Sequence, residues 1–117
     1  GGGSIVNISS VASVKPTPVT TVYAAAKAGL NALTTATAIE YAQVGVRVNG
    51  IICGTFDTDA ASGFVRDPAL LPGILRPIAL DRVGRPEEIV GAAIYLLSDA
   101  SSYATGSLMT IDGGVAM

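Results

Sequence analysis

Histidine and tryptophan are absent from this 117-residue sequence, and cysteine occurs once, at Cys53. Without histidine, His-based catalytic triads and most zinc sites are excluded, and no metal is expected. A single cysteine cannot close an intrachain disulfide, so a reducing compartment, the cytoplasm, is the expected location. Charge is scarce too: 14% of residues are charged, with 7 basic against 9 acidic side chains and a formal net charge of −2. The basic residues are scattered, which argues against a nucleic-acid or anionic-membrane surface. No apolar run approaches the length of a membrane span, and no segment resembles a signal peptide. The glycine-rich phosphate turn G-x-G-x-x-G does not occur either.

What the chain has in excess is apolar residues, 50% of the total. A small globule must cover much of itself with polar groups, so this excess implies surface buried against something else. The opening Gly1-Gly2-Gly3-Ser4 reads equally as an expression linker or as a natural turn into a strand.

Ser4 to Ser9 is β-branched and apolar on both faces around Asn7, the pattern of a strand covered on both sides in a parallel sheet. Residues 10–19 form a loop marked by Pro16 and Pro18. Thr20 or Thr21 is placed to cap a helix that runs to about Gln43 and stops at Gly45. Its alanines, with Leu30, Leu33 and Ile39, make it small and apolar on more than one side, fit to pack on a sheet and on a partner helix. Val46 to Ile52 is a second strand, ending at Cys53-Gly54. Residues 55–82 contain three prolines and many large apolar side chains; two short helices within a long, lid-like connection account for them. Pro86-Glu87-Glu88 starts a helix that continues to about Ser98, with both acids at the positive dipole end. Ser107 to Ile111 is a third strand, closed by Asp112-Gly113-Gly114. Helices between strands require parallel pairing and right-handed crossovers, hence a doubly wound α/β sheet of three strands. An apolar first strand at the edge of so thin a sheet is unstable or sticky, and the chain reads as half a domain.

Three polar residues stand out against this apolar background. Tyr23 and Lys27 are one helical turn apart on the same face, and Ser10 ends the preceding strand. A hydroxyl, a phenol and an ammonium converging at a strand end make a proton-transfer site.

Ser10, Tyr23 and Lys27 in this spacing resemble the Ser/Tyr-x-x-x-Lys centre of the short-chain dehydrogenase/reductase (SDR) family. The surroundings agree along the chain: Ile-Val-Asn-Ile-Ser-Ser resembles that family's fifth strand, and Tyr-Ala-Ala-Ala-Lys-Ala-Gly-Leu its active-site helix. Gly-Val-Arg-Val-Asn-Gly-Ile resembles the sixth strand, and Gly-Arg-Pro-Glu-Glu-Ile with Thr-Gly-Ser…Asp-Gly-Gly the closing helix and strand. The family's Pro-Gly after the sixth strand is Cys53-Gly54 here, and its glycine-rich turn, Asn-Asn-Ala-Gly stretch and further catalytic asparagine have no counterpart.

The resemblance implies the C-terminal half of a doubly wound Rossmann-type fold, residues 1–117, with 55–82 as a substrate lid. It further implies an NAD- or NADP-dependent oxidoreductase that interconverts a secondary alcohol and a ketone. Tyr23 is then the general acid or base, in contact with both substrate and cofactor, and Lys27 favours its phenolate and holds the nicotinamide ribose. Ser10 hydrogen-bonds the substrate oxygen and stabilises developing oxyanion charge. Ser9 and Ser13 compete with Ser10, and the spacing to Tyr23 favours Ser10. Gly54, Phe56 and Thr58 line the nicotinamide: Gly54 permits close approach and the Phe56 backbone meets the carboxamide. Thr58 reaches carboxamide or phosphate, or else caps the lid. Asn49 reads as a structural tie between strand and loop, and Cys53 as an inert thiol. Phe64, Leu70, Leu71 and Ile74 form either a substrate wall or core. A homodimer or homotetramer is expected. The competing reading is a non-catalytic piece that keeps the triad but lacks a cofactor site and persists by assembly with other chains.

Overall fold

Short β-branched runs become strands here because a neighbouring strand pairs with each of them in register. The computed structural model describes residues 1–117 and contains three strands, β1 (Gly3–Ser10), β2 (Val46–Cys53) and β3 (Leu108–Ile111). They lie in the order β1-β2-β3, all parallel. Gly3 pairs with Val46 and Ser10 with Cys53, while Gly50 pairs with Leu108 and Cys53 with Ile111. The ends of β1, β2 and β3 are thus level, at Ser10, Cys53 and Ile111.

The helices are α1 (Thr21–Tyr41), the short α2 (Ser62–Val65) and α3 (Leu71–Leu75), and α4 (Val90–Leu97). The alternation of strand side chains shows that α1 and α4 cover opposite faces. Asn7 Nδ2 donates to Thr34 Oγ1 on α1 at 2.9 Å, whereas Ser4, an odd number of residues away, donates to Leu96 O on α4 at 2.7 Å. On β2, Arg47 reaches the Leu96 carbonyl, while a Cβ on Gly50 would touch Thr34 at 3.7 Å. This is the doubly wound arrangement expected from the order of elements.

The core is small. Val48, Ile51 and Ile52 of β2, Ala38 of α1 and Leu96 of α4 are its centre. Each large side chain so buried contributes about 1.5–3 kcal/mol relative to exposure. Only the central strand is buried on both faces; on β1, Ile5 and Ile8 are each 50% exposed. Val22 and Ile39 on α1, and Val90, Ile94 and Leu97 on α4, also face outward. The accessible surface is 7109 Å², against about 5,900 Å² for a compact monomer of this mass. The radius of gyration is 15.3 Å, against about 13.4 Å for a compact domain of this length.

Several boundaries differ from the sequence reading for local reasons. β1 extends to include Gly3 and Ser10, because Gly3 N donates to Gly45 O at 3.2 Å and Ser10 still pairs with Cys53. Of the opening glycines, Gly2 lies against Gly45: a Cβ on it would stand 2.8 Å from Gly45 O. Gly45 ends the first helical segment in the left-handed region, at φ 81°. Thr20 occupies the cap position of α1, but its hydroxyl turns back to the Thr17 backbone instead of capping the helix. The final helix begins as a 3-10 turn over Pro86–Ile89 before α4 proper. No helix is long and apolar enough to cross a membrane.

Candidate active site

The level strand ends and the first turns of α1 enclose an open cleft of about 480 Å³. Ser10, Tyr23, Lys27, Gly54, Phe56 and Thr58 all line it, and Ser9, Cys53 and Thr55 are among the other lining residues.

Lys27 is placed by β1. Its ammonium donates to Ile8 O at 2.9 Å and lies 5.7 Å from the centroid of the Tyr23 ring. Ser9, the neighbour of Ser10 on the other face of the strand, donates from Oγ to Lys27 O at 3.3 Å. Ser9 is therefore a structural tie between strand and helix. Two of the three Lys27 donors remain for another group. Tyr23 is 52% exposed, its ring at the mouth of the cleft.

Ser10 has extended backbone angles and caps the 3-10 turn over Val11–Ser13: its Oγ accepts from Ala12 N at 3.1 Å. Accepting that bond leaves the hydroxyl proton free to donate. Ser13 donates to the Ser10 carbonyl and accepts from Asn31 Nδ2 at 2.8 Å, so α1 holds the loop that carries Ser10. The Oδ1 of Asn31 is buried without a partner. Asn31 escaped the sequence reading; its one available signal was its place four residues after Lys27, on the same helix face.

Across the cleft, Gly54 is a glycine for a reason internal to the fold. A Cβ there would lie 2.6 Å from Asp112 Cα, so the turn after β2 packs directly on the turn after β3. Phe56 is clamped against residues 82–85. Gly84 N donates to Thr55 O at 2.9 Å, Asp57 N donates to Gly84 O at 2.8 Å, and a Cβ on Gly84 would meet the Phe56 ring at 2.6 Å. The Phe56 carbonyl accepts from Thr58 N at 2.9 Å, while its N–H reaches no backbone carbonyl. Thr58 Oγ1 accepts from Ala61 N at 3.3 Å, capping the turn into α2 while still lining the cleft.

The clamp is anchored by Glu88. It takes a bidentate pair from Arg82 at 2.8 and 2.8 Å and a bond from Arg85 N at 2.7 Å. The Arg82 guanidinium, followed by the Arg85 amide, lowers the Glu88 carboxyl to about 2. Glu88 is thus more than the dipole partner read from sequence, because it fixes the turn that presses on Phe56. Burial pushes the Cys53 thiol up, with the Lys27 charge acting the other way. Asn49, fully buried, donates to Ala104 O and accepts from Ser107 N, both at 2.9 Å, tying β2 to the loop before β3. Arg47 spends its guanidinium on Ser101, Ala104, Leu96 and Ser98 and is structural. Of the large apolar residues of the 55–82 segment singled out in the sequence, Phe64, Leu70 and Ile74 line a neighbouring depression, and Leu71 does not.

The arrangement offers a hydroxyl donor, a phenol and a fixed ammonium on one side, and a backbone donor at Phe56 on the other. These groups fit the nicotinamide-ribose end of a dinucleotide.

The chain is similar to known proteins along nearly its whole length. The model of a family described as enoyl-(acyl carrier protein) reductase matches residues 1–116. A 3β-hydroxysteroid dehydrogenase of Eggerthella lenta is 41% identical over 115 residues, 98% of this chain and 44% of the relative. A 3-oxoacyl-(acyl-carrier-protein) reductase of Chlamydia trachomatis is 43% identical over 114 residues, 97% of this chain and 45% of the relative. Among solved structures, a gluconate 5-dehydrogenase from Burkholderia cenocepacia, in complex with NADP and tartrate, superposes with a TM-score of 0.93 at 34% identity. That match covers 97% of this chain and 45% of the other. The chain therefore spans about half the length of the relatives it matches.

Proposed function

The chain belongs to the short-chain dehydrogenase/reductase family, and on that premise we infer that the protein containing it is an NAD- or NADP-dependent oxidoreductase. It interconverts a secondary alcohol and a ketone. The observation that carries this reading is the convergence of Ser10, Tyr23 and Lys27 on one cleft, with the Lys27 ammonium fixed beside the phenol.

The dinucleotide supplies or accepts hydride when bound; the chain's own groups handle the proton and the charge. Tyr23 gives its hydroxyl proton to the carbonyl oxygen during reduction and takes it back during oxidation. Lys27 sets a fixed positive charge beside that phenol, and its two spare donors suit the ribose hydroxyls. Ser10, its oxygen already engaged by Ala12 N, donates its proton to the substrate oxygen and stabilises the charge that develops there. In this reading the Phe56 N–H, which has no backbone partner, donates to the carboxamide oxygen, Gly54 and Thr58 flank it, and residues 55–82 act as the lid.

The exposed apolar stripe of α4 (Val90, Ile94, Leu97) and the outward Val22 and Ile39 of α1 support assembly as a homodimer or homotetramer. The lone free thiol suits a cytoplasmic setting. Replacing Tyr23 by Phe in the full-length protein tests the reading: cofactor-linked turnover should fall about 10²–10⁴-fold with the fold retained. Turnover near the unaltered rate would refute it.

A further inference from the structure

Beside the reaction cleft lies a second depression of about 470 Å³, and Thr55 lines both. Its lining includes Val11, directly after Ser10, Phe64, Leu70, Ile74 and Ile78 of the 55–82 segment, and Val115, with Thr17 and Thr55 its hydroxyl-bearing residues. Lys15 is the one ionisable residue of its lining, and no carboxylate accompanies it. The Lys15 ammonium donates to Val115 O at 2.9 Å, which holds it at the rim and leaves two donors unused.

A mainly apolar lining that shares Thr55 with the proton-transfer cleft, and that holds one cation and no carboxylate, defines a ligand by complementarity. A polyol laid against Phe64, Leu70 and Ile74 would leave its hydroxyls unpaired, which is costly. A hydrocarbon body would fill the same walls favourably, and an anionic end would meet Lys15. With this depression taken as the substrate wall that the resemblance implies, we propose that the substrate is an apolar keto or hydroxy acid. Its carbinol or carbonyl carbon lies at Tyr23 and its carboxylate at Lys15. The proposal rests on the oxidoreductase reading given above.

The test uses the full-length protein with its dinucleotide and three probes: a cyclohexanone carboxylate, the corresponding carboxamide, and a keto-sugar acid. Dissociation constants come from saturation-transfer NMR and kcat/KM from turnover. The carboxylate should bind about tenfold more tightly than the carboxamide, and the keto-sugar acid least well. Lys15→Gln should bring the carboxylate-to-carboxamide ratio to about one, and Lys15→Arg should restore it. Phe64→Ala should weaken the carboxylate and the carboxamide alike. Equal binding of acid and amide, a ratio unmoved by Lys15→Gln, or preference for the keto-sugar acid would overturn the proposal. Binding ranked as expected but without turnover would support the substrate assignment and sink the oxidoreductase reading. Turnover with the ranking reversed would do the opposite.

Discussion

The Lys27 ammonium stands 5.7 Å from the centroid of the Tyr23 ring while it donates at 2.9 Å to the carbonyl of Ile8. That strand carbonyl keeps the positive charge beside the phenol instead of letting it swing into solvent. Removing the charge at similar length, as in Lys27→Met, should lower kcat/KM by about a hundredfold or more. A kcat/KM within a few-fold of the parent would show that the charge does not act on the reaction at Tyr23.

Glu88 makes an acid-stability prediction with a definite sign. Its carboxyl is lowered from 4.5 to about 2 by Arg82 and the Arg85 amide. A depressed carboxylate stabilises the folded state above its unfolded value and loses that contribution as pH falls through the folded one. Thermal melts should therefore show Glu88→Gln less stable than the parent at neutral pH, with the gap narrowing between about pH 4.5 and 2. A gap that persists unchanged at pH 2 would contradict the assignment.

Gly54→Ala should destabilise through overpacking. The added methyl would meet the backbone of Asp112 at 2.6 Å, and a main-chain neighbour cannot rotate away. The expected cost is about 1–3 kcal/mol, read as a fall of several degrees in Tm. A melting temperature within a degree of the parent would mean that the two turns are not pressed together in solution.

The 117 residues on their own should associate. Their surface of 7109 Å² exceeds the compact-monomer value by roughly 1,200 Å², more than one partner's share of a standard interface, about 800 Å². Light scattering should report a dimer or larger, and no NAD(P)-dependent turnover should be measurable. A monomer that binds no hydrophobic dye, or a chain that turns over alone, would contradict this.

The sheet was legible because its signals are local: the β-branched runs at Ile5–Ile8 and Val46–Ile52, the glycine stop at Gly45 and the Pro86 helix start each sit inside their own element. Tyr23 and Lys27 were legible for the same reason, being one turn apart. What escaped depends on partners distant in sequence. Gly54 is explained by Asp112, and the position of Ser10 depends on Asn31 through Ser13. Thr20 resembled a side-chain cap, yet the Thr17 backbone offered its hydroxyl a nearer partner. Glu88 carried the helix-start pattern, but its engagement by Arg82 follows from how the chain folds back on itself over residues 82–85, which composition does not reveal.

The most direct test of the account follows the hydride and the proton together in the full-length protein. Reduction of a ketone probe with nicotinamide dinucleotide deuterated at its transferable position should place deuterium on the carbinol carbon. Tyr23→Phe should slow that transfer about 10²–10⁴-fold while leaving dinucleotide affinity within a few-fold. Product without the label, or label transferred by Tyr23→Phe at the parental rate, would show that this phenol is not the proton donor of a hydride-transfer reaction.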